Sequence, residues 1–363
     1  MTPRGPRGPA RPLAASAYVR SAARPRERPR LPEIAAIGHH APIFASTAHP
    51  MKVLVTGAGG QVGLDLIRIL QARGDEVHAS DMAPPGPTMQ QGFEWTMLDV
   101  TSTDEVHALV AAVRPDCVFH LAAILSARGE LDPQRTYAVN QSGTVNVLEA
   151  CRLHAVRQLV FTSTIAAFGP PLPDLVPDDI ALHPTTMYGV TKVAGELLGD
   201  YYFHRYGLDF RAVRFPGLLS AVLPGGGTSD YAPLMYFEAV RVGHYEAFCR
   251  PDATIPLMYM PDGLRALIEL SQAPRERLSR CVYNLAAFSP TAQEIADEVM
   301  RVVPGSTITF NPDPRRQAIL DSWPRALDDS LARRDWGWKA EYDLPAMSAD
   351  LLPRVRALLS ANP

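Results

Sequence analysis

The feature that most constrains the fold of this chain is a glycine cluster between a strand pattern and a helix pattern. Residues 52–56 form an apolar run typical of a buried strand, and apolar side chains recur at helical spacing over 64–70. A second strand pattern at 76–80 ends at Asp81. A strand, a glycine turn, a helix and a second strand within about 30 residues predict a βαβ unit that binds a dinucleotide.

Three glycines of the turn have separate physical roles. Gly57 lets the chain turn sharply, Gly60 lets backbone N–H groups approach a pyrophosphate, and Gly63 lets the helix lie close to the strand. The N-terminus of the helix then faces the phosphates with its partial positive charge. Asp81 stands 18 residues after Gly63, where a carboxylate can accept both ribose hydroxyls and would repel a 2′-phosphate. The pattern therefore favours NAD over NADP.

The alternation of strand and helix patterns continues beyond this unit. Further strand patterns lie at 93–97, 117–120, 158–162 and 210–214, and helix patterns at 106–113, 140–153 and 185–206. The alternation predicts an α/β fold with a Rossmann-type doubly wound parallel sheet, whose ligand lies at the carboxyl ends of the strands. We expect an NAD-binding domain over residues 51–216 and a smaller C-terminal α/β substrate lobe, mainly over residues 217–352.

Residues 1–50 differ in composition from the rest of the chain. They hold eight Arg, no Lys or Asp and two Glu, a net charge of +6, whereas the other 313 residues carry −9. Nine prolines and no helical or strand period predict a disordered tail. Alternatively, the start of the protein is misassigned and lies at Met51, which directly precedes the first strand pattern. A transit peptide is the other alternative, although the prolines disfavour an amphipathic helix.

Composition and spacing argue against several other classes of protein. A net charge of −3 gives no general attraction to nucleic acid or to acidic membranes. The four cysteines have no Cys-x-x-Cys spacing and the ten histidines no metal-ligand spacing, so no metal site is predicted. The sequence contains no run of about 18 apolar residues, so no membrane-spanning helix is predicted. We expect a cytoplasmic protein with reduced thiols and a small-molecule ligand.

Two polar side chains on the last predicted helix of the first domain suit proton transfer. Tyr188 and Lys192 are four residues apart and therefore share one face of that helix. An ammonium beside a phenol favours the phenolate and lowers the pKa of the phenol from near 10. Thr164 follows the strand pattern at 158–162 and could hold a substrate oxygen. A Tyr-x-x-x-Lys pair alone is usually an ordinary surface pair, but its position after a dinucleotide-binding unit indicates alcohol oxidation.

These motifs together resemble the extended short-chain dehydrogenase/reductase family. The resemblance is carried by the glycine turn, His120-Leu121-Ala122-Ala123, Ser163-Thr164 and Tyr188-Gly189-Val190-Thr191-Lys192. More specific similarity to the short-chain type of L-threonine 3-dehydrogenase lies in the segments 125–127, 214–217, 225–231, 257–260, 321–324 and 335–339. The resemblance runs from Met51 to about Leu352.

The resemblance implies an NAD-dependent oxidation of the Cβ hydroxyl of L-threonine to 2-amino-3-oxobutanoate. In that scheme Tyr188 accepts the hydroxyl proton, and Lys192 lowers the pKa of the tyrosine and holds the nicotinamide ribose. Thr164 stands where most relatives carry serine, a change that keeps the hydroxyl. The cofactor-binding residues would be Gly57, Gly60, Gln61, Val62, Gly63, Asp81, Asp99, Val100, Leu121, Ala122, Ala123, Asn140, Tyr188, Lys192 and Leu218.

A zwitterionic substrate needs partners for its carboxylate, its ammonium and its reacting hydroxyl. We expect hydroxyl groups and one acid to suffice, with Asp230 facing the ammonium. The substrate candidates are Ser126, Thr164, Thr186, Tyr188, Thr228, Asp230 and Trp323. The glycines at 225–227 are interpreted as a loop that closes over the amino acid, with a plain flexible hairpin loop as the alternative.

The resemblance also implies a homodimer built by the helix around Tyr188. The other side of that helix carries Leu197, Leu198, Tyr201 and Tyr202, which could equally be core residues.

Two other functions stay open at this stage. A nucleotide-sugar 4-epimerase or dehydratase of the same extended family would need a roomy cationic lobe, whereas residues 217–260 offer only Arg241 and Arg250 as cations. A non-catalytic NAD-binding module would not need Thr164, Tyr188 and Lys192 together.

Overall fold

The computed structural model describes residues 50–85, 92–222 and 227–361. The predicted tail, apart from residue 50, lies outside these ranges, as do Gly225 and Gly226 of the predicted loop. The strands are Lys52–Thr56 (β1), Glu76–Asp81 (β2), Glu94–Met97 (β3), Cys117–His120 (β4), Gln158–Thr164 (β5), Leu175–Val176 (β6), Asp209–Phe215 (β7), Gly217–Leu219 (β8), His244–Ala247 (β9), Leu257–Tyr259 (β10), Val282–Asn284 (β11), Thr307–Phe310 (β12) and Ala326–Leu327 (β13). The α-helices are Gln61–Ala72 (α1), Thr103–Val113 (α2), Ser126–Gly129 (α3), Pro133–Tyr137 (α4), Gly143–Leu153 (α5), Met187–Tyr206 (α6), Tyr231–Val242 (α7), Met260–Gln272 (α8), Ala292–Val302 (α9), Pro314–Asp321 (α10), Ser330–Trp336 (α11) and Leu344–Ala361 (α12).

Seven strands form one parallel sheet in the order β3-β2-β1-β4-β5-β7-β11. The chain moves outward from β1 to β3 and then returns to place β4 on the other side of β1. This reversal opens a crevice at the carboxyl ends of β1 and β4, where ligands of such sheets bind. The predicted doubly wound α/β fold is confirmed.

Both faces of this sheet are covered, which explains the continuous apolar strand patterns. Successive side chains of β1 enter different cores. Val53 and Val55 pack with Leu66 of α1, whereas Leu54 packs with Val106 of α2. Because side chains alternate across a strand, each strand supplies both layers of helices.

The part of the chain after β7 is divided between two places. The helix α8 contacts α1 and β7, and β11 pairs with β7 in the main sheet. The helices α7, α9 and α12 instead build a separate core with the small parallel sheet of β9 and β12. Residues 260–284 therefore support the sheet that carries the crevice, within the range predicted mainly as a substrate lobe.

Two helices begin differently from the sequence patterns. The helix predicted from about residue 185 begins at Met187, because Thr186 is its N-cap and accepts a hydrogen bond from the N–H of Gly189 at 3.1 Å. The helix predicted over 140–153 opens instead with a π-helical turn, Ala138–Ser142, before α5. The described ranges contain no helix long and apolar enough to cross a membrane.

Candidate active site

The glycine turn after β1 has a geometry that excludes larger residues. Gly57 has φ +70°, and a Cβ there would lie 2.5 Å from the backbone nitrogen of Ala122. A Cβ at Gly63 would lie 2.7 Å from the carbonyl oxygen of Ala58, so α1 packs directly against the turn. Gly60 is the N-cap of α1 and offers no side chain to cap the helix. The first turn of α1 therefore presents backbone N–H groups that fit a pyrophosphate.

Asp81 ends β2 beside this turn. Its Oδ2 accepts a hydrogen bond from the N–H of Gly59 at 2.9 Å, and its Oδ1 accepts one from the N–H of Ala83 at 3.2 Å. A carboxylate oxygen has more than one acceptor site, so both oxygens can still accept hydroxyl groups. Asp81 is thus fixed beside the glycine turn, and its contact with a ribose stays a prediction.

The next two predicted cofactor residues lie in the turn after β3. Asp99 accepts hydrogen bonds from the N–H and the Oγ1 of Thr101, at 2.9 and 2.8 Å. The side chain of Val100 is so close to α5 that a Cβ on Gly143 would lie 2.7 Å from its Cγ2. Both residues lie near the carboxyl edge of the sheet, and their contact with a cofactor stays a prediction.

The segment 121–123 follows β4 at the crevice. The preceding residue, His120, is buried between the hydroxyls of Thr56 at 2.7 Å and Thr144 at 3.1 Å. Burial lowers the pKa of His120 to about 3, with a smaller contribution from the charge of Lys192. A neutral imidazole therefore ties β1, β4 and α5 together directly beneath Leu121, Ala122 and Ala123.

Asn140 lies in the π-helical turn, and its side chain holds the backbone of Ile124. Its Oδ1 accepts a hydrogen bond from the N–H of Ile124 at 2.8 Å, and its Nδ2 donates to the carbonyl of Ile124 at 2.9 Å. The same Nδ2 donates to the Oγ1 of Thr191 at 3.2 Å. Asn140 thus joins the segment after β4 to α6, an orienting role that the sequence pattern did not show.

The start of α1 contacts a distant part of the chain, the segment that follows β8. The Nε2 of Gln61, at the start of α1, donates to the Oγ of Ser220. Ser220 directly follows β8, which contains Leu218, and Leu218 and Val62 pack against the same core. The region after β8 therefore lies next to the glycine turn.

The three predicted catalytic residues meet at the carboxyl end of β5. Thr164 is the last residue of β5 and is hydrogen-bonded to the side chain of Tyr188. The Nζ of Lys192 lies 5.7 Å from the ring centroid of Tyr188 and 4.5 Å from that of Phe161. The same Nζ donates to the carbonyl oxygen of Thr162 at 2.7 Å. A phenol, a hydroxyl and an ammonium are therefore gathered at one point of the crevice.

The charges of this group differ from the simple expectation. Burial raises the pKa of Tyr188 to about 12, and the hydrogen bond with Thr164 opposes this rise. Burial also lowers the pKa of Lys192 to about 7, and the carboxylate of Glu196 opposes this fall. We expected Lys192 to lower the pKa of the tyrosine, but here its ammonium is directed to the Thr162 carbonyl and burial dominates the phenol.

A buried ion pair beneath the catalytic group was missed by the sequence reasoning. The Nε and Nη2 of Arg214 donate to Glu196 at 3.0 and 2.8 Å, and the Oγ of Ser163 also donates to Glu196. The Nη1 of Arg214 donates to the carbonyl of Asp178 at 3.0 Å. Since Ser163 precedes Thr164 and Glu196 follows Lys192 by one helical turn, the pair fixes α6 against β5 and β7. The four-residue spacing between Lys192 and Glu196, which places both on one face of α6, was the sequence signal available for this pair.

Apart from Thr164 and Tyr188, the predicted substrate residues lie on four separate segments of the chain. Ser126 is buried at the start of α3, and Thr186 caps α6. Thr228 is fully buried in the 3₁₀ turn Thr228–Asp230, where Asp230 accepts a hydrogen bond from the N–H of Gly227 at 2.6 Å. Trp323 is buried in the core that Tyr188 also contacts.

One contact connects two of these elements. The Oγ1 of Thr185 donates to the Oγ of Ser322 at 3.1 Å. Thr186 and Trp323 are the next residues along the chain, so they lie at one junction. Within the described ranges, no group of three or more His, Cys, Asp or Glu side chains is arranged to hold a metal ion.

Comparison with known proteins identifies close relatives of this architecture. Residues 53–286 match the model of the NAD dependent epimerase/dehydratase family. The mitochondrial L-threonine 3-dehydrogenase of Bos taurus is 44% identical over 311 residues, which are 85% of this chain and 83% of the bovine protein. The X-ray structure of L-threonine dehydrogenase from Clostridium difficile is 39% identical with a TM-score of 0.82, covering 85% of this chain and 99% of that one. A monomeric L-threonine 3-dehydrogenase from a metagenome is 38% identical with a TM-score of 0.80, covering 84% and 99%.

Proposed function

Because the chain belongs to the NAD dependent epimerase/dehydratase family, we propose that it oxidises the Cβ hydroxyl of L-threonine with NAD, giving 2-amino-3-oxobutanoate. The observation that carries the proposal is the meeting of Thr164, Tyr188 and Lys192 at the carboxyl end of β5, beside the glycine turn. Similarity over 85% of the chain to a protein named L-threonine 3-dehydrogenase supports the choice of substrate.

The residues around the crevice have the chemistry to hold NAD. The N–H groups at the start of α1 would bind its pyrophosphate, Asp81 its adenosine ribose, and Lys192 its nicotinamide ribose. Bound NAD would supply the acceptor for the hydride that leaves Cβ of the substrate. The remaining steps are carried out by side chains of the protein.

Tyr188 is the group that accepts the hydroxyl proton. Thr164, hydrogen-bonded to Tyr188, is placed to hold the same substrate oxygen, so the proton has a short path from substrate to phenol. Burial raises the pKa of Tyr188 to about 12, so only a small fraction of the phenol is deprotonated at neutral pH. We therefore expect turnover to increase above neutral pH.

The first test is an assay of the purified protein with NAD and L-threonine, following NADH at 340 nm. We expect NADH formation that depends on threonine. Parallel reactions with L-allo-threonine, L-serine and a UDP-hexose compare other substrates. NAD binding without a signal from any amino acid, together with conversion of the UDP-hexose, would contradict the proposal and favour the epimerase alternative.

We also propose that the protein is a homodimer formed through α6. Val190, Leu197 and Tyr201 are 44, 66 and 51% exposed and share one face of this helix. Tyr202, grouped with them in the sequence analysis, is instead buried and donates to Glu149 at 2.9 Å. An apolar stripe on the exposed face of a long helix is typical of a protein interface.

The oligomeric state can be measured by sedimentation velocity. We expect a dimer for the unmodified protein and a monomer for Leu197→Glu. The control is Val242→Glu, which places the same charge at a residue that is 61% exposed on α7. A monomeric unmodified protein would contradict the proposal, and the metagenomic relative is described as monomeric.

A cytoplasmic location is proposed from the four cysteines, all of which are free and buried. A C-terminal fluorescent fusion expressed in the source organism would test it. Signal confined to an organelle or to the cell exterior would contradict it.

A further inference from the structure

A cation from outside the predicted substrate segment reaches the turn that carries two substrate candidates. The Nη2 of Arg316, near the start of α10, donates to the carbonyl oxygen of Gly227 at 3.2 Å. Its guanidinium carbon lies 3.6 Å from the ring centroid of Phe248. Stacking on an aromatic ring holds a guanidinium in one orientation and leaves its edge free to donate hydrogen bonds.

The peptide groups on both sides of Gly227 are held. Its N–H donates to the Oδ2 of Asp230 at 2.6 Å, while its carbonyl accepts from Arg316. A Cβ at Gly227 would lie 2.8 Å from the Oδ1 of Asp230, so the carboxylate is in close contact with this residue. Arg316 and Asp230 therefore hold the carbonyl and the N–H of Gly227, and we call these three residues the Gly227 clamp.

Thr228, which follows Gly227, has a buried hydroxyl with no hydrogen-bond partner among the described residues. The residue as a whole is fully buried. A buried hydroxyl without a partner is unfavourable, so a ligand that supplies a donor or an acceptor gains affinity there. The backbone position of Gly227 decides where that hydroxyl lies.

The helix α10 links the Gly227 clamp to the residues just before α6, the helix that carries Tyr188. The helix α10 has eight residues and is about 12 Å long. Ser322, the C-cap of α10, accepts a hydrogen bond from Thr185, which lies just before α6 and Tyr188. One short helix thus spans from the clamp to the residues next to the proton acceptor.

We propose that Arg316 is a positioning residue that determines affinity for the amino-acid substrate by fixing Gly227, and through it Thr228 and Asp230. The identity of the substrate rests on the proposed function. The substrate residues predicted from the sequence are hydroxyl groups, one acid and aromatic residues, and they include no cation. Arg316 lies on α10, and no short sequence motif around it predicts this role.

The test compares Arg316→Ala with Arg315→Ala in the full-length protein. Arg315 is the exposed neighbour in the same helix, so its variant is a matched control for the loss of one surface cation. We expect Arg316→Ala to raise the KM for L-threonine tenfold or more, with kcat changed less than about threefold and the KM for NAD unchanged. Arg316→Lys, which can donate but not stack as a plane, should recover only part of the loss.

A second measurement does not depend on activity. Hydrogen–deuterium exchange of peptides covering residues 227–231 should become faster in Arg316→Ala and stay unchanged in Arg315→Ala. Unchanged exchange in Arg316→Ala would overturn the inference even if the protein oxidises threonine. Equal KM values for both variants, with normal turnover in the unmodified protein, would also overturn it and leave the proposed function standing. No threonine turnover in the unmodified protein would overturn the proposed function and the substrate role of Arg316 together.

Discussion

The predicted cofactor side and the predicted substrate side of the crevice are built in different ways. The cofactor side is made of backbone, in a glycine turn and a helix N-terminus that lie within one stretch of sequence. The side chains predicted to bind the substrate come from α3, the end of β5, the start of α6, the turn Thr228–Asp230 and the segment after α10. A backbone site requires particular residues at fixed spacing, whereas a side-chain site requires only that distant elements meet.

The largest expected effect removes the one group that both sides share. Tyr188→Phe keeps the ring and its packing but removes the proton acceptor, so we expect turnover to fall by about 10³-fold or more while NAD still binds. NADH formation at 340 nm and a fluorescence titration with NAD measure the two quantities. Tyr201→Phe, at an exposed position on the same helix, is the control. Turnover near normal in Tyr188→Phe would remove its role in proton transfer.

The difference between the two sides also explains what could be predicted. The glycine turn, Asp81, Thr164, Tyr188 and Lys192 belong to short patterns whose chemistry depends on spacing along the chain, and the structure brings them to one edge of the sheet. The parallel sheet followed from the repeated strand and helix patterns for the same reason.

Long-range partners could not be predicted in that way. Arg214 meets Glu196, and Arg316 meets Gly227, only after β7 and α10 are in place. Leu197 and Tyr202 are both apolar residues of α6, yet one is exposed and the other buried, and only the packing of α5 against α6 decides between them. Spacing along the chain does not identify which distant residues will meet in such tertiary contacts.

A glycine substitution tests whether the cofactor side really depends on backbone. In Gly57→Ala the new Cβ would lie 2.5 Å from backbone, so the turn must move. We expect NAD affinity to fall about 100-fold, or about 2.7 kcal/mol. Gly74→Ala is the matched control, because Gly74 has φ +89° but no atom within 4 Å of the new Cβ. That variant should lose about 1–2 kcal/mol of stability with unchanged NAD affinity. Equal NAD affinities for the two variants would show that the close contact does not matter.

The pH dependence tests the electrostatics where the two sides meet. Burial raises the pKa of Tyr188 to about 12, and a base must be deprotonated to act, so its active fraction increases as pH rises. Burial lowers the pKa of Lys192 to about 7, so the free ammonium is lost over part of the same range, although a phenolate nearby favours its retention. We expect kcat/KM for threonine to rise with pH above 7, by up to about tenfold per unit.

Steady-state rates from pH 6 to 10 would measure this profile. NAD affinity is measured over the same range, because Lys192, which would hold the nicotinamide ribose, has its pKa lowered to about 7 by burial; this separates a change in cofactor binding from a change in proton transfer. A profile that is flat or falls between pH 7 and 9 would contradict the assignment of Tyr188 as the base.

The smallest expected effect concerns a side chain within the backbone-built half. Asp81 is held by the N–H groups of Gly59 and Ala83 in a position where it would accept ribose hydroxyls and repel a 2′-phosphate. One such contact is worth about 1.4 kcal/mol, so kcat/KM should be at least about tenfold higher with NAD than with NADP. Asp81→Asn keeps the shape and removes the charge, and it should reduce this preference mainly by improving the reaction with NADP. Equal kcat/KM for the two cofactors in the unmodified protein would mean that the ribose lies elsewhere, and that even on the cofactor side the spacing of an acid does not determine its contact.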